Sequence, residues 1–391
     1  MITRVHVTNF KTLRDIELTL GRRNVLVGPN MSGKSNFISV LRFLQRMVLP
    51  APGVHGLTNA ITSMGGFEEL AWRGGTSNLI TFHLAGDVQG AVPGEGLWEY
   101  RLDILGGRGG QVLVQSEILR IKFATGWIDL IGKDAASGRR VLRNEQGAQI
   151  SLIDADRSAL EYEVPDWPGN ALRMRLASTR FYQLVPQAIK QVNQASAPGA
   201  LDEHGSNFSS WLMLLQTRYG DEVFGKINSV ARDVLPELTD LRTWPTGQAT
   251  VFLAAVEKSL RTPVPLWHMS DGEVCFIALL SLLLCPEELG APLYCVEEPE
   301  NYLHPRLIAT LAQLDKQRQE ELGAGAAQAI VSTHSLHLVD QAKLEDLIVF
   351  ERQAGATVCT RPAEREHLRE LLRREDVGLG ELYYSGALGS A

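Results

Sequence analysis

The stretch Gly28-Pro-Asn-Met-Ser-Gly-Lys-Ser35 decides how the rest of this chain is read. It fills every fixed position of the phosphate-binding loop pattern G-x-x-x-x-G-K-[ST], and its flanks suit that pattern. Before it, Asn24-Val-Leu-Val27 is a short apolar run of the kind a fully buried strand shows. After it, Phe37, Val40, Leu41, Leu44, Met47 and Val48 recur at helical spacing until Pro50 and Pro52 stop the helix. Strand, glycine loop and helix in that order turn backbone N–H groups inward as an anion nest, with the positive end of the helix dipole behind them. Lys34 would then reach the β- and γ-phosphates of a nucleoside triphosphate, and the Ser35 hydroxyl would ligate Mg²⁺. A plain glycine turn before an ordinary helix is the competing explanation, and spacing and context together argue against it.

Working outward, the first residues alternate as strands (Val5, Val7, Phe10, then Leu13, Ile16, Leu18, Leu20). From about residue 76 to 176 short β-like runs at 79–84, 98–105, 111–123 and 127–131 are punctuated by Gly106-Gly107, Gly109-Gly110 and Ser137-Gly138. Such spacing predicts an antiparallel sheet inserted into, or extending, the first unit. Residues 177–262 read as mixed, with helices near 207–219 and 221–235. In the last third, helices (270–285, 306–322, 336–343) alternate with strands (293–296, 329–332, 346–351), the pattern of a mostly parallel sheet covered on both faces. The expected division is a discontinuous head, 1–75 and 263–391, around a β-rich lobe (76–176) and a mixed helical insertion (177–262).

Three further segments carry chemistry. Pro292-Leu-Tyr-Cys-Val-Glu-Glu-Pro-Glu300 is an apolar strand running into acids. Adjacent carboxylates at a strand end are costly without a cation or a protic partner, so Glu297 is expected beside Mg²⁺ and Glu298 beside an attacking water. Taken alone, this segment could equally be a strand entering a solvated acidic loop. Met269-Ser-Asp-Gly-Glu273 opens a helix and has the spacing of a capping box. The same Ser270, Gly272 and helix N-terminus would also make a second phosphate-binding surface, one facing a nucleotide on another subunit. Ile330-Val-Ser-Thr-His-Ser335 is an apolar strand that delivers His334 at its tip, where an imidazole can donate a hydrogen bond to a phosphate oxygen.

Phosphate loop, signature, acidic strand and switch histidine, in that order, resemble the ABC-type ATPase heads of the RecF, SMC and OLD branch, a group of AAA family ATPases. The opening Val7-Thr-Asn-Phe-Lys-Thr-Leu13 resembles that branch's first strand pair, and Glu297-Glu-Pro-Glu-Asn-Tyr-Leu-His-Pro305 its acidic strand and following loop. Asp202-Glu-His-Gly-Ser-Asn-Phe208 and Leu382-Tyr-Tyr-Ser-Gly386 resemble its compact predicted-ATPase subgroup. The resemblance implies an α/β P-loop NTPase fold, an ABC-type head with a mostly parallel sheet flanked by helices plus an antiparallel β subdomain. It implies an ATPase that uses ATP and Mg²⁺ and works as a head-to-tail homodimer with composite sites. Gly28, Asn30, Ser32, Gly33, Lys34, Ser35 and Asn36 of one chain would hold the nucleotide, capped by Ser270 and Gly272 of the other. Ser35 and Glu297 would support the metal, Glu298 would be the general base, and His334 would sense the γ-phosphate. Departures from the family pattern are Glu297 where Asp is usual, no glutamine in Gly65-Gly-Phe-Glu-Glu-Leu-Ala-Trp-Arg-Gly74, and Glu273-Val-Cys275 where a basic residue is common.

Composition bounds the remaining classes. With 391 residues and 45% hydrophobic content, the chain can bury a sizeable core. A formal net charge of −7 disfavours a surface that grips nucleic acid everywhere, so DNA contact is confined to a local patch. Arg139, Arg140 and Arg143, or Arg173 and Arg175, are the candidates, set against the simpler reading as solvated surface. The longest apolar stretch, 276–285, is too short to span a bilayer, and the N-terminus lacks a signal-peptide core; the expected compartment is the cytoplasm. Four cysteines without a C-x-x-C pair indicate neither a disulfide framework nor structural zinc. No long coiled coil is present, and the 56 residues after Ser335 leave no room for the nuclease module that often trails OLD ATPases. The expected function is a dimerising ATPase that switches a DNA- or protein-directed activity through a separate effector, in genome maintenance or phage defence. The alternative is a slowly hydrolysing ATP-gated clamp or scaffold.

Overall fold

The computed structural model describes residues 1–50, 52–88, 96–107, 111–135, 137–373 and 378–389. The expected turn at Gly109-Gly110 lies outside them. The chain divides into two compact units, one made of residues 1–179, 345–365 and 388–391, the other of residues 180–344 and 366–387.

In the first unit, strands Ile2–Phe10 and Leu13–Thr19 form a hairpin, and Ile2–Phe10 also pairs antiparallel with Leu79–Asp87. The ladder continues through Leu97–Gly106, Val112–Phe123, Gly126–Lys133, Arg140–Arg143 and Gln149–Leu152. The antiparallel sheet therefore extends the chain's own first strands rather than standing apart from them. Strand Arg23–Val27 lies parallel to Leu347–Gln353, which turns back antiparallel into Ala356–Thr360. Helix Lys34–Val48 is buried along two faces. Its Phe43 ring meets Phe10 and Phe82 of the antiparallel sheet at 6.2 and 5.1 Å, and its Phe37 meets Phe350 at 6.0 Å. Aromatic rings on both sides fix the helix, and so the loop that feeds it, far more firmly than helix propensity would.

In the second unit, Arg180–Tyr182, Leu293–Glu297 and Gln328–Thr333 are parallel neighbours in that order. Helix Asp271–Leu283 buries every residue from Val274 to Ser281. It is apolar all round because it is a core helix, packed with Phe208, Trp211 and Leu215 and with Leu241 and Leu253. This is the apolar stretch judged too short for a bilayer, and among the described residues no helix is long and apolar enough to cross one. The 177–262 segment also holds an antiparallel hairpin, Leu238–Pro245 with Thr250–Glu257.

Arg140 corrects one sequence reading. It is 6% exposed, and its Nη1 sits 2.6 Å from Glu117 Oε2. Ser158 Oγ, Tyr100 Oη and the Ala159 N–H also donate to that carboxylate. An arginine so used is no surface contact for DNA. Arg173 is likewise taken by Glu163 at 2.8 Å, and the Arg143 guanidinium donates to the Lys133 carbonyl.

Arg140→Met should lower unfolding free energy by about 3–5 kcal/mol at neutral pH, because Glu117 is then buried without its counter-charge. Burial pushes the Glu117 carboxyl above its ordinary range, while Arg140 and the hydrogen bonds pull it down. A raised folded value favours the folded state at low pH and loses that effect as pH rises through it. Without Arg140 the value climbs further, so the deficit should shrink as the medium is brought toward about pH 5. Urea unfolding at both pH values measures the difference.

Candidate functional site

The loop residues lie in the first unit, between strand Arg23–Val27 and helix Lys34–Val48. Gly28, Ser32, Gly33 and Lys34 are buried, Asn36 is half-buried, and Asn30 and Ser35 are exposed. Gly33 has φ +110, and a Cβ there would overlap the Thr357 hydroxyl; a Cβ on Gly28 would overlap the Phe350 carbonyl. Both glycines are thus demanded by the strands 347–353 and 356–360 that back the loop, as well as by its curvature. Lys34 Nζ donates to the Gly28 and Pro29 carbonyls at 2.8 and 3.1 Å, folding back over the loop.

The backing is a hydroxyl relay that sequence reading missed. Thr357 Oγ1 donates to the Ser32 carbonyl at 2.9 Å and lies 2.8 Å from Thr12 Oγ1, which accepts from Asn36 Nδ2 at 2.7 Å. The Thr357 N–H donates to the Thr12 carbonyl. Residues 12 and 357 are far apart in sequence, so only the fold could reveal that they meet.

A triphosphate fits this loop on three observations. The helix Lys34–Val48 has no acid in its first turn and no side-chain cap, so its positive end is left for another anion. Ser32 Oγ is buried without a hydrogen-bond partner, a polar atom awaiting one. Asp and Glu are absent from residues 28–36, so nothing there repels phosphate.

Ser270, Gly272, Glu297, Glu298 and His334 lie in the second unit. Ser270 Oγ accepts from the Glu273 N–H at 3.2 Å, and Glu273 accepts from the Ser270 N–H at 2.8 Å, a complete capping box. Asp271 pairs with Lys190 at 2.5 Å. Gly272 is needed because a Cβ would stand 2.7 Å from the Tyr302 carbonyl in the loop after the acidic strand. Glu297 ends strand Leu293–Glu297 half-buried, beside Ser332 in the parallel register.

Glu298 follows, its N–H donating to the Ser332 carbonyl. Its φ of +46 is a left-handed conformation costly for a branched carboxylate chain, of the kind that concentrates at working sites. That turn aims the carboxylate between two groups: His334 Nε2 stands 3.3 Å from Oε1, and Asn301 Nδ2 donates to Oε2 at 2.9 Å. The structure therefore brings Glu298 and His334 together, and adds Asn301, unnoticed in the sequence. Both side chains stay about a third exposed, open to solvent and substrate. Glu298 can accept a proton from water while the imidazole and amide hold it still.

A family model described as "AAA domain, putative AbiEii toxin, Type IV TA system" matches residues 23–340, a span that includes the glycine loop, Ser270, Gly272, the acidic strand and His334. The chain belongs to this AAA family. No curated protein matches it. Among solved structures it is similar to the Smc head domain with an extended coiled coil bound to the C-terminal domain of ScpA from Pyrococcus furiosus, with TM-score 0.58 and 12% identity over 95% of this chain and 99% of that one. It is also similar to an Smc head bound to the C-winged helix domain of ScpA, with TM-score 0.55 and 13% identity over 92% and 96%. At such identities the likeness is one of fold alone, that of an Smc head domain. The expected AAA family is thereby met by the family model, and the expected head fold by the Smc structures.

Thr357→Val deletes the hydroxyl that braces the loop while nearly keeping its shape. Affinity for a non-hydrolysable ATP analogue, read by calorimetry, should fall about 3–10-fold, the cost of one buried hydrogen bond passed to the loop.

Proposed function

We propose that this AAA family member binds ATP with Mg²⁺ and hydrolyses it as a head-to-tail homodimer, switching the activity of a separate protein effector. The observation that carries the reading is the Glu298–His334 pair at 3.3 Å, with Glu298 held in a left-handed turn. A strained carboxylate propped against an imidazole and an amide has no evident structural use. It suits a general base.

Gly28, Asn30, Ser32, Gly33, Lys34, Ser35 and Asn36 would hold the nucleotide, and Ser35 and Glu297 would ligate the metal. Mg²⁺, when bound, would neutralise charge on the phosphate oxygens. Glu298 takes the proton of the attacking water, whose oxygen bonds to the γ-phosphorus as the bond to the ADP oxygen breaks. The His334 ring keeps that carboxylate in place and can donate to a phosphoryl oxygen as charge gathers there. Ser270 and Gly272 of a second copy would cap the nucleotide. The Ser270 oxygen accepts from the Glu273 N–H and keeps its hydroxyl proton free to donate to a phosphate oxygen. Nucleotide binding would close the dimer and hydrolysis reopen it, since only the triphosphate touches both surfaces. The head is taken as residues 1–75 and 263–391. Phage defence and genome maintenance are the settings such a switch would serve, with DNA contact confined to a patch that excludes Arg140.

Glu298→Gln should lower kcat for ATP by about 10²–10⁴-fold, the usual weight of a general base, with ATP affinity kept. Light scattering should find the variant dimeric with ATP and monomeric without it. Wild-type turnover in the variant would sink the assignment of Glu298, and an ATP-bound monomer would sink the dimer.

A further inference from the structure

Glu300 holds none of the reacting positions assigned above. It stands beyond the end of strand Leu293–Glu297, in a turn where a carboxylate ordinarily faces water. Here it is half-buried, and its Oε1 alone accepts from Thr333 Oγ1 at 2.6 Å, the His334 N–H at 2.8 Å and the Ser335 N–H at 3.2 Å. Oε2 is buried with no hydrogen-bond partner. Thr333 ends strand Gln328–Thr333 and Ser335 precedes helix Leu336–Asp340, so these bonds fasten the bend that carries the switch histidine. Three bonds to one oxygen, with the other left dry, mark an acceptor recruited for the backbone rather than for solvent.

We infer that Glu300 is a positioning residue for the hydrolytic pair. It clamps the backbone of His334, while Glu298, two residues earlier in the same turn, meets the imidazole of that histidine. One turn thus holds His334 by main chain and by side chain, and fixes the 3.3 Å approach from both ends. The catalytic consequence rests on the ATPase reading above; the clamp does not.

In the full chain, Glu300→Ala removes the acceptor and Glu300→Gln keeps an oxygen at the same reach. Hydrogen–deuterium exchange at the His334 amide should quicken about tenfold or more in Glu300→Ala and stay near wild type in Glu300→Gln, whereas the Ser335 amide, which also donates to Thr333 Oγ1 at 2.9 Å, should change less. In step, kcat for ATP should fall about 10–100-fold in Glu300→Ala with KM within about twofold, and Glu300→Gln should recover most of it. Unchanged exchange in Glu300→Ala, or a loss of kcat that Glu300→Gln does not restore, overturns the inference. Should Glu300→Ala fail to fold, Glu300→Asp, shorter by one methylene, replaces it under the same criteria. If wild type does not turn over ATP the ATPase reading falls, and if Glu298→Gln turns it over like wild type the assignment of Glu298 falls, while in either case the exchange measurement still decides whether Glu300 holds His334.

Discussion

A helix begins with backbone N–H groups that its own carbonyls cannot reach, and each must find an acceptor elsewhere. This chain answers that constraint with carboxylates at nearly every functional junction. Glu161 accepts from the N–H groups of Gly56 and Leu57 at the head of helix Gly56–Ser63. Glu273 and Ser270 cap the signature helix reciprocally. Asp340 accepts from the Gly380 N–H at the start of helix Leu379–Tyr384. Glu300 takes the N–H groups of His334 and Ser335. The helix after the phosphate loop has neither acid nor side-chain cap in its first turn, and a phosphate is an anion whose chemistry fits that end.

The same constraint separates two glutamates that look alike on paper. Glu298 and Glu300 flank one proline, yet their surroundings assign them different work. Glu298 faces an imidazole and an amide and remains a third exposed, so its carboxylate can meet water. Glu300 is turned inward onto main-chain donors and is spent on geometry. On the proposed reading, one acid of this turn serves chemistry and the other support, and both bear on His334, one through its ring and one through its backbone N–H.

Much of this was legible from residue order. The glycine loop, the acidic strand, the capping box and the switch strand were each placed within a residue or two, because period and punctuation are local properties of the chain. The long-range pairings were not. Thr12 and Thr357 meet across most of the sequence, and nothing in their neighbours distinguishes them from surface threonines. Arg140 looked like a solvent cation beside Arg139 and proved to be the counter-ion of a buried glutamate, since burial depends on which strand faces the core.

By itself, then, the sequence determined the chemistry on offer: a phosphate cradle, paired acids and a histidine at strand ends, in an order that names a class of fold. Those features rest on residue type and short spacing, which the backbone's own periodicity converts into local shape. Only the tertiary structure decided which polar groups serve one another. Glu298 with His334 and Asn301, Glu300 with the main chain, and Thr357 with the loop it braces all join residues that sequence distance separates. A hydrogen bond needs its partners within about 3 Å at a defined angle, and that condition is met by packing, not by order along the chain.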